Sequence, residues 1–208
     1  MSKLSLWNRD KIARERLEDK IINNTYLGRP LIEVDTPILG GVSIGAKQRE
    51  AIVVDTKYGE LNKLYEVAKS KATIGDKLWK QFILEAVYNT VKETIPNQCD
   101  EPLKSIIEKN GAHKDGKIAL DTFLQAGTGN CLHDALTCAA LLEMFQKQGL
   151  IRGKISVDKN NVNHLGGHAW CRYTNSNNEV YILDVRNDYM GPLKGAKKWP
   201  YERPGESR

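Results

Sequence analysis

No apolar run in the sequence approaches the roughly 18–20 residues that a membrane-spanning helix needs. The start, Met1-Ser2-Lys3-Leu4-Ser5-Leu6-Trp7-Asn8-Arg9-Asp10, meets charge before any signal-peptide core forms. These absences exclude a helical membrane protein and ordinary secretion, and point to the cytoplasm; a specialised route into a host cell needs neither feature and stays open. Cysteine is also scarce. The four, Cys99, Cys131, Cys138 and Cys171, form no repeated CxxC, and a chain of 208 residues does not need disulfide staples, so reduced thiols are expected. The excess of positive charge is only +5 and scattered, without the basic stripe that nucleic-acid binding calls for. What remains, 40% hydrophobic and 27% charged residues, suits a folded chain of one domain with an appendage, or two small ones.

The pattern along the chain points to an α+β fold. From Asn8 to about Asn24, Ile12, Leu17, Ile21 and Ile22 recur among charges at helical spacing. Leu31–Val34 and Ala51–Val54 read as short strands separated by Pro37, Gly40, Gly41 and Gly45; these glycines form a loop, since no Gly-Lys-Ser/Thr follows to hold phosphate. Helices are expected from Tyr58 to about Ala72, from Lys77 to about Thr94, and, shorter, near Leu103–Lys109. The resulting division is an N-terminal accessory subdomain over residues 1–75, a second domain over 76–193, and a loose tail over 194–208, where prolines and charges lack periodicity.

The chemistry concentrates between Ile118 and Asp188. Cys131 follows Gly127-Thr128-Gly129-Asn130 and opens an apolar helix through Leu132, Ala135, Leu136, Ala139, Leu142 and Phe145. Asn130 is a natural N-cap, so the thiol falls on the first turn, where open N–H groups and the helix dipole favour a thiolate. Gly129, with its neighbours, leaves room for a substrate carbonyl. Cys138, in Leu136-Thr137-Cys138-Ala139, reads as a buried apolar residue.

A thiol nucleophile needs a base, and His168 in Gly166-Gly167-His168-Ala169-Trp170-Cys171 opens a strand. Asp184 closes the run Val180-Tyr181-Ile182-Leu183-Asp184 and suits the acceptor that holds the second imidazole nitrogen. A hairpin loop over residues 174–179 would let the two face each other across adjacent strands. Gln125, six residues before Cys131, can donate to an oxyanion beside the Cys131 N–H, or simply be a solvated loop residue. Trp170 either walls the site or fills the core, with core favoured.

Gly-x-Cys at the head of a Leu/Ala-rich helix, then Gly-His-Ala-Trp, then a strand ending in Leu-Asp, resembles the transglutaminase-like branch of the papain-like cysteine peptidase superfamily. The likeness covers about Lys77 to Asp188. It implies a nucleophile helix packed on an antiparallel sheet, with an N-terminal helical and β accessory region outside the match, and Cys131, His168 and Asp184 in the matching roles. Gln125 matches the glutamine of many papain-like enzymes, whereas animal-type transglutaminases use a more distant tryptophan. That departure tilts the reading towards hydrolysis.

The expected activity is therefore attack on an amide bond through a thioester, as in a cysteine peptidase or a protein glutamine deamidase, on a protein or peptide substrate and without cofactor or metal. One alternative is a transamidase that makes isopeptide bonds. Another, of a different class, is a binding module, either catalytically inactive or zinc-stabilised through ligands drawn from Cys131, His133, His164, His168 and Cys171; zinc is disfavoured because an odd separation along a strand points His168 and Cys171 to opposite faces. His133 reads as a helix-surface or core histidine, His164 as part of a polar loop that can border the cleft, and Arg186, Asn187 and Asp188 as a polar strand exit. His113 and Cys99 have no informative context.

Overall fold

The computed structural model describes residues 19–45, 50–96, 100–111, 116–163 and 166–206. The proposed opening helix lies mostly outside them, but its end is corrected. Ile21–Ile22 (β1) pairs with Thr25–Tyr26 (β2), and Arg29–Pro30 (β3) adds a third short strand. Asn23 and Asn24 turn the chain with φ of 49° and 59°, a left-handed conformation that asparagine tolerates better than most residues. Of Leu31–Val34, only Leu31 makes a bridge, to Val42. Val42–Ile44 (β4) and Ala51–Val53 (β5) form an antiparallel pair, to which Lys117–Ala119 (β8) adds in parallel.

Helix α1 spans Glu60–Lys71. The expected helix from Lys77 begins only at Ile83: Thr73–Ile74 (β6) and Lys77–Leu78 (β7) form a hairpin around Gly75, whose φ is +62°. Glycine adopts that angle without strain, and the turn breaks what composition suggested was one helix. Ile83–Thr94 is α2, Asp100–Gly111 is α3, Leu120–Gln125 is α4 and Cys131–Lys147 is α5. Helix α5 is apolar on nearly every side, as a helix enclosed by protein must be, and it packs among α1, α2 and a sheet. That sheet contains Gly153–Val162 (β9), Gly166–Asn175 (β10), Val180–Asp184 (β11) and Tyr189–Pro192 (β12), all antiparallel in the order β12-β11-β10-β9. The architecture is α+β.

Residue alternation gives the sheet two buried faces. Ala169, Cys171, Tyr173 and Leu183 join the core shared with α5, whereas Trp170 and Ile182 pack with Ala196 and Tyr201. Packing and ion pairs also cross both expected boundaries. Ile32, Ile52, Leu61, Tyr65 and Ala68 belong to the same core as α5, so hydrophobic packing runs straight through residue 75. The tail is not loose either. Arg172 and Asp158 are each 3% exposed, and buried charges require partners. The C-terminal segment supplies them: Arg203 pairs with Asp158 at 2.7 Å and also with Asp35, while Glu206 pairs with Arg172. Among the described residues, no helix is long and apolar enough to cross a membrane.

Candidate active site

Asn130 caps α5 as its chemistry requires. Its Oδ1 accepts from the Leu132 N–H at 2.9 Å, while its own N–H donates to His133 Nδ1 at 3.2 Å, a reciprocal capping box. An accepting Nδ1 leaves the His133 proton on Nε2. Burial, with Arg186 nearby, pushes the imidazole down to about 3, so His133 is a neutral core residue of the cap rather than a second base. Gly129 is explained by the same packing: a Cβ there would lie 2.8 Å from His133 Cβ and 3.2 Å from Ile95 Cγ2. Its smallness lets the loop close on the helix. Cys131, the first residue of α5, remains half-exposed.

Arg186 ties this loop to the end of β11. It donates to the Gly129 carbonyl at 2.7 Å and pairs with Asp134, one turn into α5. Burial pushes the Asp134 carboxyl up to about 7, opposed by the Arg186 charge and hydrogen bond. The thiol loop and the carboxylate strand are thus cross-linked through a buried ion pair.

His168 and Asp184 meet at 2.6 Å between Nε2 and Oδ2. They are not directly opposite each other. Cys171 pairs with Leu183, so the same register sets Asp184 opposite Trp170 and His168 on the diagonal, still on one face and within reach. The carboxylate is fixed from three further directions: Oδ2 accepts from the Tyr201 hydroxyl at 2.7 Å and Asn187 Nδ2 at 2.9 Å, and Oδ1 from the Asn187 N–H at 3.1 Å. Asn187 Nδ2 also lies 3.0 Å from His168 Nε2. Two N–H groups cannot bond each other, so the amide belongs to Asp184 and Nδ1 is the ring nitrogen left for Cys131.

Burial of His168 disfavours its charge, but hydrogen bonding to Asp184 and then to Cys131 outweighs it and holds the imidazole at about 9. The ring therefore keeps its proton at neutral pH. Burial likewise works against the Asp184 charge, and the His168, Tyr201 and Asn187 bonds outweigh it, holding the carboxyl below its ordinary value. Trp199 walls the imidazole, with ring centroids 4.9 Å apart, and is itself fixed by its Nε1 donating to Asn160 at 2.7 Å.

Cys131, His168 and Asp184 are brought together, with Asn130 as the cap. Gln125 is not part of the cluster: it is exposed at the end of α4, and its amide donates to Glu60 at 3.3 Å. Gly167 is exposed, with the Asn160 carbonyl 3.9 Å from the position of a Cβ. Trp170 is buried against Tyr201 rather than open to a substrate. Cys138 and Cys171 are fully buried, and burial pushes both thiols up. His113, His164 and Cys99 lie outside the described residues. Among those described, no group of three His, Cys, Asp or Glu side chains gathers to hold a metal.

Sequence reasoning missed Trp199 and Tyr201, and read both Arg186 and Asn187 as part of a polar strand exit. The available signal was Trp199-Pro200-Tyr201 itself, since two large aromatics in a polar tail are poorly accommodated by water. Comparison with protein-family models, with curated proteins and with solved structures finds no match to this chain.

Proposed function

We propose that the protein is a thiol-dependent amide-bond hydrolase working through a thioester, of the transglutaminase-like, papain-like type. The observation that carries this reading is a single imidazole shared between Cys131 at the head of α5 and Asp184 Oδ2 at 2.6 Å. In the proposed reaction the Cys131 thiolate attacks a carboxamide or peptide carbonyl, and the oxyanion forms near the N–H groups of the first turn of α5. As the C–N bond breaks, the His168 imidazolium gives its proton to the departing amine. His168 then takes a proton from water, which attacks the thioester and frees Cys131. Participation of Gln125 in the oxyanion site requires its amide to leave Glu60.

Intact-mass measurement of candidate protein substrates, with and without an added primary amine, tests the reading. Fragments identify peptide hydrolysis, a gain of about 1 Da identifies deamidation, and incorporation of the amine with loss of ammonia identifies transamidation. No change in any substrate, in a protein whose Cys131 also resists alkylation, contradicts the proposal.

Asp184→Asn is expected to retain partial activity. A doubly protonated His168 can still donate to the Asn carbonyl, so the ring keeps its place but loses the charge beside it. Turnover should fall roughly 10- to 100-fold, and the alkaline limb of the pH profile should move below 9, because the carboxylate is what raises His168 most. An unchanged profile would remove Asp184 from the mechanism.

A further inference from the structure

The segment that follows β12 crosses the sheet face carrying His168 and Asp184, and it delivers one hydroxyl to their shared oxygen. We infer that Tyr201 is a positioning residue for the His168–Asp184 pair, which makes this C-terminal strap an integral part of the active site. The inference rests on the thiol-enzyme reading.

Tyr201 is fully buried, set edge-on against Trp170 with centroids 5.2 Å apart and stacked on Tyr189 at 5.8 Å. A buried phenol needs an acceptor. The acceptor here is the one carboxylate oxygen that also receives His168 Nε2, at 2.7 Å and 2.6 Å respectively. Burial and the neighbouring Asp184 charge keep the phenol protonated, so it remains a donor throughout the working pH range. The positive end of its O–H dipole faces Oδ2 and draws on charge that would otherwise stabilise the imidazolium. Tyr201 thus fixes where the carboxylate sits and limits how tightly His168 holds its proton.

Other groups around the ring are accounted for among the described residues. Cys131 faces it from α5, and Asp134 on that helix is paired with Arg186. Asn187 bonds Asp184, and Asn160 on β9 bonds Trp199 and the Pro200 carbonyl. Asp158 on β9 and Arg172 on β10 are engaged by Arg203 and Glu206. Lys92 on α2 and Lys198 on the strap are drawn to Asp188. None of these places a second hydroxyl donor on Oδ2, so the effect assigned to Tyr201 is separable. The strap is held in register by the Asn160 bonds on one side and by Arg203 and Glu206 on the other.

Tyr201→Phe removes the hydroxyl and keeps the ring, so packing against Trp170 and Tyr189 is preserved. His168 is titrated by NMR of its ring carbons and nitrogens in the intact unreacted protein, and steady-state kinetics are measured beside it. The titration of the variant is expected to move upward by on the order of 0.5–1 pH unit. Turnover should fall roughly 3- to 10-fold at unchanged KM, since a buried side chain cannot touch substrate. A titration that stays in place or moves downward overturns the inference. The two failures are distinguishable: an unmoved titration in a protein that turns over removes only the role of Tyr201, whereas a wild-type protein inert towards amides and towards alkylation defeats the thiol reading itself.

Discussion

Cys131→Ala is expected to abolish turnover, by at least roughly 10³-fold, while the thermal midpoint shifts by no more than about 2 °C. The two effects separate because of where the sulfur sits. Cys131 is half-exposed at the first position of α5, so its removal opens no cavity, and alanine suits a helical position well. The cap does not depend on the thiol either, because Asn130 bonds Leu132 and His133. The proposed chemistry, in contrast, loses its nucleophile, the one sulfur among the described residues that faces the His168 imidazole. Cys138 and Cys171 cannot substitute, since both are fully buried and burial pushes their thiols up. Activity assays and thermal unfolding of the same preparation check both halves; an active Ala variant refutes the nucleophile.

His168→Ala should be as severe for turnover and, unlike the cysteine change, should also destabilise the fold. Asp184 is 1% exposed, and loss of its charged partner leaves a buried carboxylate held by Tyr201 and Asn187 alone. Removal of one member of a buried pair is strongly unfavourable, here roughly 3 kcal/mol. The sign with pH follows from the titration. The folded state raises His168 from 6.5 to about 9, so it binds this proton more tightly than the unfolded chain does. The resulting stabilisation is fully present below about 6.5 and is lost as pH rises through about 9. Denaturant unfolding at several pH values should therefore show a gap between wild type and variant that narrows in alkaline solution. A gap that widens there would contradict the charge assigned to the imidazole.

How far the sequence discloses this site depends on the range of the signal. The Asn130 cap and the apolar α5 are local, since a polar side chain before an apolar helical stretch has few other uses, and both are seen where expected. The hairpin joining β10 to β11 is equally local: Asn175 Oδ1 accepts from the N–H groups of Asn177 and Glu179, so the asparagine-rich run writes its own turn. The exact register is less legible. His168 and Asp184 meet diagonally because the turn places Thr174 opposite Val180, and composition does not count residues across a turn.

The strap lies beyond any local reading. Arg203, Glu206 and Tyr201 form no periodic pattern, and they are ordered by Asp158, Arg172 and Asp184, which lie at least 17 residues away in sequence. A buried arginine on β10 is visible only after β10 is known to be covered. Much the same holds for β6 and β7, where one residue in a left-handed conformation, Gly75, divides a stretch whose apolar spacing otherwise suggests a continuous helix.

Competitive alkylation is the most direct test of a sulfur activated by its imidazole. With limiting iodoacetamide at neutral pH and peptide mapping of the product, Cys131 should be modified while Cys138 and Cys171 remain free. His168→Ala should slow that modification by at least roughly tenfold. Equal labelling of Cys131, Cys138 and Cys171, or an unchanged rate at Cys131 without the imidazole, would contradict the account.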